Sequence, residues 1–418
     1  MVTPSLWRHA DFMKLWAGQT VSELGSVVTR TAVPLVALLV LGAGPLEMAL
    51  LVVSASLAVL VVGLFAGAWV DRVRRRPILI WADAIRAAVL FSIPVAYVAG
   101  VLRMEQLYAV VFAEGCLGAF FDAAYPAYVP SLIGVDRVVD GNSKLATSSS
   151  LAEIGGPGLG GGLVQLIGAP FAMLVDAISF VVSAVSLALI RSPEPPPPPR
   201  IASTAIRAEI AEGLAAVRHH RLLLPLALRS IVAHVAGSFY GVLYTIYLVQ
   251  DLQLSPFLLG VVVSAGGVGS LVGSFFASRA IARLGIGRAL IWAAIGASVI
   301  GVLTPLAGGP LVLAVAMVLL PQLIGDGLQT IESVAELSLI QGVMPGRMLG
   351  RVNATLEVFS HGIAYPLGAL LAAGVAGWFG VRGGIAIGWA GMAASLLFLV
   401  LSPLPSVREP SDAAAIEG

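Results

Sequence analysis

The sequence predicts an all-α membrane protein with twelve transmembrane helices in two six-helix bundles related by pseudo-two-fold symmetry. Three observations predict it. Of 418 residues, 58% are hydrophobic and only 11% charged, against about 25% charged in a soluble protein. Apolar runs of about 20 residues, the length that crosses a bilayer, recur along the whole chain. The basic residues also partition cleanly between the two sides of such an arrangement.

Twelve spans are expected at 15–41, 46–69, 77–100, 105–131, 144–168, 170–190, 223–249, 256–279, 287–307, 310–340, 350–376 and 381–402. With both termini inside, 20 of the 24 Lys and Arg residues fall on the cytoplasmic side. Only Arg103 and Arg382 fall outside, while Arg30 and Arg86 fall within spans. Basic residues are retained on the cytoplasmic face, and an odd number of spans scrambles this partition. Near the N-terminus, Trp7 to Lys14 carries no small-residue cleavage site after a short apolar core, so the first helix is expected to remain in the membrane.

The domain organisation follows: residues 1–190 as one bundle, 191–222 as a cytoplasmic linker, 223–402 as a second bundle and 403–418 as a cytoplasmic tail. The linker opens on a polyproline run, Pro195 to Pro199, which makes a stiff spacer. Ile206, Ile210, Leu214 and Val217 then recur at helical spacing among charges, predicting an amphipathic helix on the inner membrane surface. Asp122-Ala123 through Arg137 to Pro157 tracks Glu332-Ser333 through Arg347 to Pro366 at offsets of 209 to 210 residues. Such a parallel repeat is the architecture of a transporter that rocks between inward-open and outward-open states.

Other classes are disfavoured. A net charge of +1 without a lysine-rich tail gives no nucleic-acid surface, and the single Cys116 forms neither an intrachain disulfide nor a thiolate metal site. The five histidines are scattered, with no His-Glu-x-x-His or Gly-x-Ser-x-Gly motif, so neither a metal centre nor a membrane-embedded enzyme is expected. A sensor is expected to carry a soluble output domain, for which the tail offers no room.

Four stretches carry a resemblance: the charged turn Gly67-Ala68-Trp69-Val70-Asp71-Arg72-Val73-Arg74-Arg75-Arg76-Pro77, Phe12 to Gln19 leading into Ser22-Glu23-Leu24-Gly25-Ser26, the glycine-rich Gly155 to Gly162, and Gly350-Arg351-Val352-Asn353 with Pro366-Leu367-Gly368. On these the chain resembles the major facilitator superfamily, and within it the bacterial efflux branch of enterobactin-exporter-like and macrolide-efflux-like permeases. The resemblance implies the superfamily's fold in a bacterial inner membrane, with no cofactor, energised by the proton gradient. It implies export of an amphipathic small molecule, drug-like or siderophore-like, by proton antiport. An importer or a lysophospholipid transporter of the same fold is the alternative. Protons, the substrate and the lipid bilayer are the expected partners, and two complete halves make a monomer sufficient.

Gly67, Asp71, Arg72, Arg75 and Arg76 match the superfamily's loop that latches one state; Arg74 stands where the pattern usually has glycine. Gly156, Pro157, Gly160 and Gly161 resemble the fifth-helix antiporter motif in part, Ala152 replacing one of its glycines. Physically, small residues one turn apart let another helix approach closely, and Pro157 removes a helical hydrogen bond.

Ionisable groups within spans are functional candidates. A proton antiporter needs a carboxylate that takes up a proton in one state and releases it in the other, and Asp122, Glu153 and Glu357 are the candidates. Arg30 is placed to hold one of them ionised, and His361 stands one turn from Glu357. Glu23, Phe121, Tyr125, Tyr240, Tyr244 and Glu332 are the expected substrate-path residues, since aromatic walls with a few polar groups suit amphipathic ligands. Asp83 and Arg86, three apart on one helix, read as a structural pair, Asp176 as a helix-contact or span-end residue, and Tyr247 as part of an interfacial aromatic belt.

Overall fold

In a computed structural model, the described residues are 5–70, 72–194, 206–409 and 412, with side chains described except at 63–65, 67, 68, 206–211 and 347. Every long element among them is helical. The first six are α1 (Ala10–Val40), α2 (Pro45–Val70), α3 (Arg75–Val98), α4 (Met104–Ile133), α5 (Val138–Ile167) and α6 (Ala169–Ala188). After them come α7 (Ile206–His219), α8 (Leu223–Asp251), α9 (Pro256–Leu284), α10 (Ile286–Leu306), α11 (Leu311–Val343) and α12 (Met348–Val400). Gly380 divides α12 into two limbs at φ 72° and ψ 173°, a conformation open to glycine because it has no Cβ. Counting both limbs and leaving out the short α7, the described residues form twelve helices of spanning length.

Local chemistry sets the ends. His9 Nδ1 accepts from the Phe12 N–H at 3.1 Å and caps α1. The Glu194 carboxylate accepts from the N–H groups of Arg75 and Arg76 at 2.5 and 3.1 Å, placing negative charge on the positive end of α3. Arg76 reaches the other way, donating from Nε to Leu187 O at 2.9 Å and from Nη2 to Ala188 O at 2.7 Å, on the last carbonyls of α6. Asp11 accepts from the Ser192 N–H at 2.9 Å and holds the chain as it leaves α6.

The described residues fall into two compact units. The first holds α1 to α6 apart from Met48–Val53, together with Ser255–Val261 at the start of α9; the second holds Met48–Val53 and the chain from α7 onward, the start of α9 excepted. In the first, α1 and α3 flank α6, and α1 also packs on α5. Its core gathers Phe12, Leu15, Leu79, Phe121, Tyr128 and Ile133. In the second, α8 lies along both limbs of α12 and α10 packs on α11, around Leu223, Leu290, Leu339 and Leu399. Large apolar side chains stand exposed on the outside, Trp378 to 88% and Leu401 to 82%, as the surface of a protein immersed in hydrocarbon requires and a water-facing surface avoids.

The internal repeat is written into the backbone. α1 ends in a π-helical turn at Val36–Val40 and α8 in one at Tyr247–Asp251. Each is closed alike: Leu41 N–H on Val36 O at 3.2 Å, and Leu252 N–H on Tyr247 O at 3.0 Å. A positive φ follows in both, 67° at Gly42 and 55° at Gln253, 211 positions later.

Helix α7 forms where an amphipathic helix is expected. It does more than lie on a membrane surface: Val217 is buried in the core of the second unit, and Gly213 sits on the first turns of α12.

Candidate functional site

Three polar groupings stand inside the spans. The first centres on Arg86 of α3, whose Nε donates to Glu114 Oε1 of α4 at 2.8 Å, with Nη2 on the same oxygen. Its guanidinium lies 4.0 Å over the Phe180 ring of α6, a cation–π contact. Asp83, the partner expected from sequence spacing, is fully buried and lies farther off at 3.9 Å. An i, i+3 spacing is visible in sequence, whereas the approach of α4 is not. Asp176, expected at a helix contact or span end, is wholly buried in α6 and faces α1. A Cβ on Gly25 would lie 2.5 Å from its Oδ1, so that glycine leaves room for the carboxyl.

The second grouping joins α8 to the first limb of α12. His234 Nδ1 lies 2.7 Å from Ser230 O, a carbonyl that only accepts, so this nitrogen carries a hydrogen. His234 Nε2 is 3.2 Å from His361 Nε2, and His361 Nδ1 is 3.2 Å from Glu357 Oε1. With a hydrogen in each of these contacts, Glu357, His361 and His234 together hold one proton more than two neutral imidazoles and a carboxylate. His361 lies in the π-helical turn Val358–Ala364, a distortion that recurs at functional sites. The side chains of His361 and Glu357 are 55% and 64% exposed, so the chain opens onto the surface of its helices.

The third is a cavity of about 460 Å³ within the second unit, walled by Tyr240, Tyr244 and Trp389 and carrying Arg229, Glu332 and Asp326. Arg229 pairs with the buried Glu332 and lies 3.8 Å from Glu336.

The structure brings together several residues singled out from sequence. Arg30 pairs with Glu153, both more than two-fifths exposed. Glu357 meets His361, and Tyr240, Tyr244 and Glu332 share one cavity. Glu23 accepts from Ser149 Oγ at 3.2 Å. Asp122 stands exposed on α4, with Arg86 and Glu23 its electrostatic neighbours. Phe121 is taken up by the core and stacks on Tyr125 with ring centroids 5.6 Å apart. On α5, a Cβ on Gly156 would meet Val27, and one on Gly160 would meet Thr31 and Val28 of α1; on Gly161 it would meet the Pro256 carbonyl. The Pro157 carbonyl packs in the same way against Gly260. Of the charged turn, Gly67 lies in the last turn of α2, Arg72 is exposed, Arg75 donates its N–H to Glu194, and Arg76 holds the α3–α6 contact; Asp71 lies outside the described residues. Tyr247 is not in a lipid-facing belt but fully buried, its hydroxyl on Thr304 O at 2.9 Å.

Three residues escaped sequence reasoning. They are Glu114, His234, which the sequence shows only as one of five scattered histidines, and Asp326.

Spanning helices repeated in two halves, with charged and aromatic groups gathered inside them, define a membrane transport protein. The chain belongs to the Major Facilitator Superfamily, whose model matches residues 15–363; it is a multi-pass membrane transporter and not an enzyme. Among characterised relatives it is similar to the multidrug efflux pump Tap of Mycolicibacterium fortuitum, 29% identical over 407 residues covering 92% of this chain and 93% of Tap. It is also similar to the uncharacterised MFS-type transporter YfiS of Bacillus subtilis (strain 168), 29% identical over 239 residues. That match spans 54% of this chain and about half, 53%, of YfiS. Among solved structures, the nucleoside transporter NupG superposes with a TM-score of 0.75, covering 94% of this chain and 98% of NupG at 11% identity. At that identity the likeness is one of fold.

Proposed function

We propose that this transporter exports an amphipathic small molecule from a bacterial cell in exchange for protons, working by alternating access as a monomer in the inner membrane with both termini cytoplasmic. The observation that supports the proton half of this reading is the Glu357–His361–His234 chain, three titratable groups in contact within a span and partly exposed. Its members lie on α8 and α12, so gain or loss of that proton changes the contact between two helices. Asp122 and the Arg30–Glu153 pair are the further coupling groups. The likeness to Tap over nearly its whole length supports export and an amphipathic cargo. Asp71 and Arg72, with Arg75 and Arg76 behind them, act in the latch of one state, and the glycines of α5 in the close packing that the cycle needs.

The test is proton movement in sealed proteoliposomes. An inward-acid gradient is imposed, and a pH dye is followed while amphipathic dyes of positive, neutral and negative charge are added. Substrate-dependent proton release is expected from the wild type and lost in Glu357→Gln and His361→Asn. Substrate movement that ignores the gradient, or coupling untouched by either substitution, overturns the reading.

A further inference from the structure

The cavity of the second unit has a charge pattern that selects its ligand. Three charged side chains line it: Arg229, Glu332 and Asp326. Arg229 pairs with Glu332, and Glu336 stands 3.8 Å from the same guanidinium. Asp326 is different. Its carboxyl makes no hydrogen bond or ion pair among the described residues; Oδ2 instead rests against Gly266 of α9, where an added Cβ would come within 2.2 Å of it. The cavity therefore carries one carboxyl with no cation beside it.

The walls around that carboxyl are aromatic. Tyr240 and Tyr244 stand one turn apart with ring centroids 6.0 Å from each other. Across the cavity, the Trp389 indole is oriented by its Nε1–H bond to Ser298 O at 2.8 Å. Aromatic faces attract cations through their quadrupole, tryptophan most strongly. A volume of about 460 Å³ lies in the range of sites for drug-sized ligands. A cation favours the ionised form of Asp326, pairs with it and lies against the rings, whereas a neutral or anionic ligand supplies no counter-charge.

We infer that this cavity is a binding site for organic monocations with an aromatic or apolar body, Asp326 pairing with the charge and Tyr240, Tyr244 and Trp389 receiving the body. The inference deepens the proposed function and rests on its small-molecule cargo, but not on its proton coupling.

The probes are methyltriphenylphosphonium and triphenylphosphine oxide, of nearly the same shape and differing in charge, with triphenylacetate as the anion. Binding to the purified full-length protein in detergent is read at equilibrium by calorimetry, without any gradient. The wild type is expected to bind the phosphonium at least about tenfold tighter than the oxide, close charge pairs being worth at least that much, and to bind the anion least. Asp326→Asn is expected to abolish the preference and leave oxide affinity unchanged, which also shows that the cavity is intact. Where Asp326→Asn binds neither compound, an azido derivative of the phosphonium photolabels the wild type, and labelled peptides from α8 and α11 support the site. Equal wild-type affinities, a preference that survives Asp326→Asn, or labelling elsewhere overturns it. Because no gradient is involved, failure here leaves proton antiport standing, and a failed proton assay leaves this site standing.

Discussion

Arg86 and Glu114, 28 residues apart on adjacent helices, are joined by two donors on one carboxylate oxygen, the Nε contact being 2.8 Å. The pair is the electrostatic centre of the first unit. Asp83 lies on one side, and Asp176 is within range of the same guanidinium.

Removing that guanidinium leaves carboxylates uncompensated in a place that water does not reach. Arg86→Met is expected to cost about 3–5 kcal/mol, the penalty for breaking a buried ion pair from one side. Glu114→Gln, which keeps an acceptor for Arg86, costs less. The double variant Arg86→Met with Glu114→Leu recovers part of the loss, so the two effects do not add. Thermal unfolding in detergent checks all three.

The glycines of α5 separate by what each faces. Gly161→Ala places a Cβ 2.1 Å from the Pro256 carbonyl, and Gly260→Ala places one 2.2 Å from that of Pro157. Each is expected to cost about 1–3 kcal/mol as overpacking against backbone that cannot yield. Gly155→Ala meets nothing within 4 Å and is expected to be neutral or to stabilise by up to about 1 kcal/mol through helix propensity. The same unfolding measurement ranks them.

Helix α7 is held by shape more than by charge. In Gly213→Leu the first added atom lies 2.3 Å from Thr355 Oγ1 and 2.6 Å from the Arg351 carbonyl, so the helix is expected to detach from α12. Limited proteolysis then cuts within 206–219 several times faster than in the wild type. Glu212→Gln breaks only an exposed pair with Arg351, worth under about 1 kcal/mol, and leaves the cleavage rate close to that of the wild type.

Tyr247 tests burial against the membrane interface. Tyr247→Phe removes a hydroxyl placed 2.9 Å from Thr304 O and 3.1 Å from Ala307 O, with a loss of about 1 kcal/mol expected from one buried hydrogen bond. A side chain at the lipid surface shows almost none. Denaturation with and without the substitution separates the two.

What the sequence determined by itself is what depends on composition and period. Spanning length, the repeat of the halves and the amphipathic α7 all follow from one-dimensional patterns, because the bilayer imposes a fixed thickness. Pairings within one helix were legible for the same reason, as with Glu357 and His361 at four-residue spacing. The approach of one helix to another was decided only in the tertiary structure. It added Glu114 to the Arg86–Asp83 pair as the nearer partner, set His234 against His361 across 127 positions, buried Tyr247, and left Asp326 without a partner in an aromatic cavity. The reason is physical: in hydrocarbon almost any apolar face packs against any other, so glycines, proline and π-helical turns set which helices touch. Their effect on a neighbour appears only once that neighbour is in place.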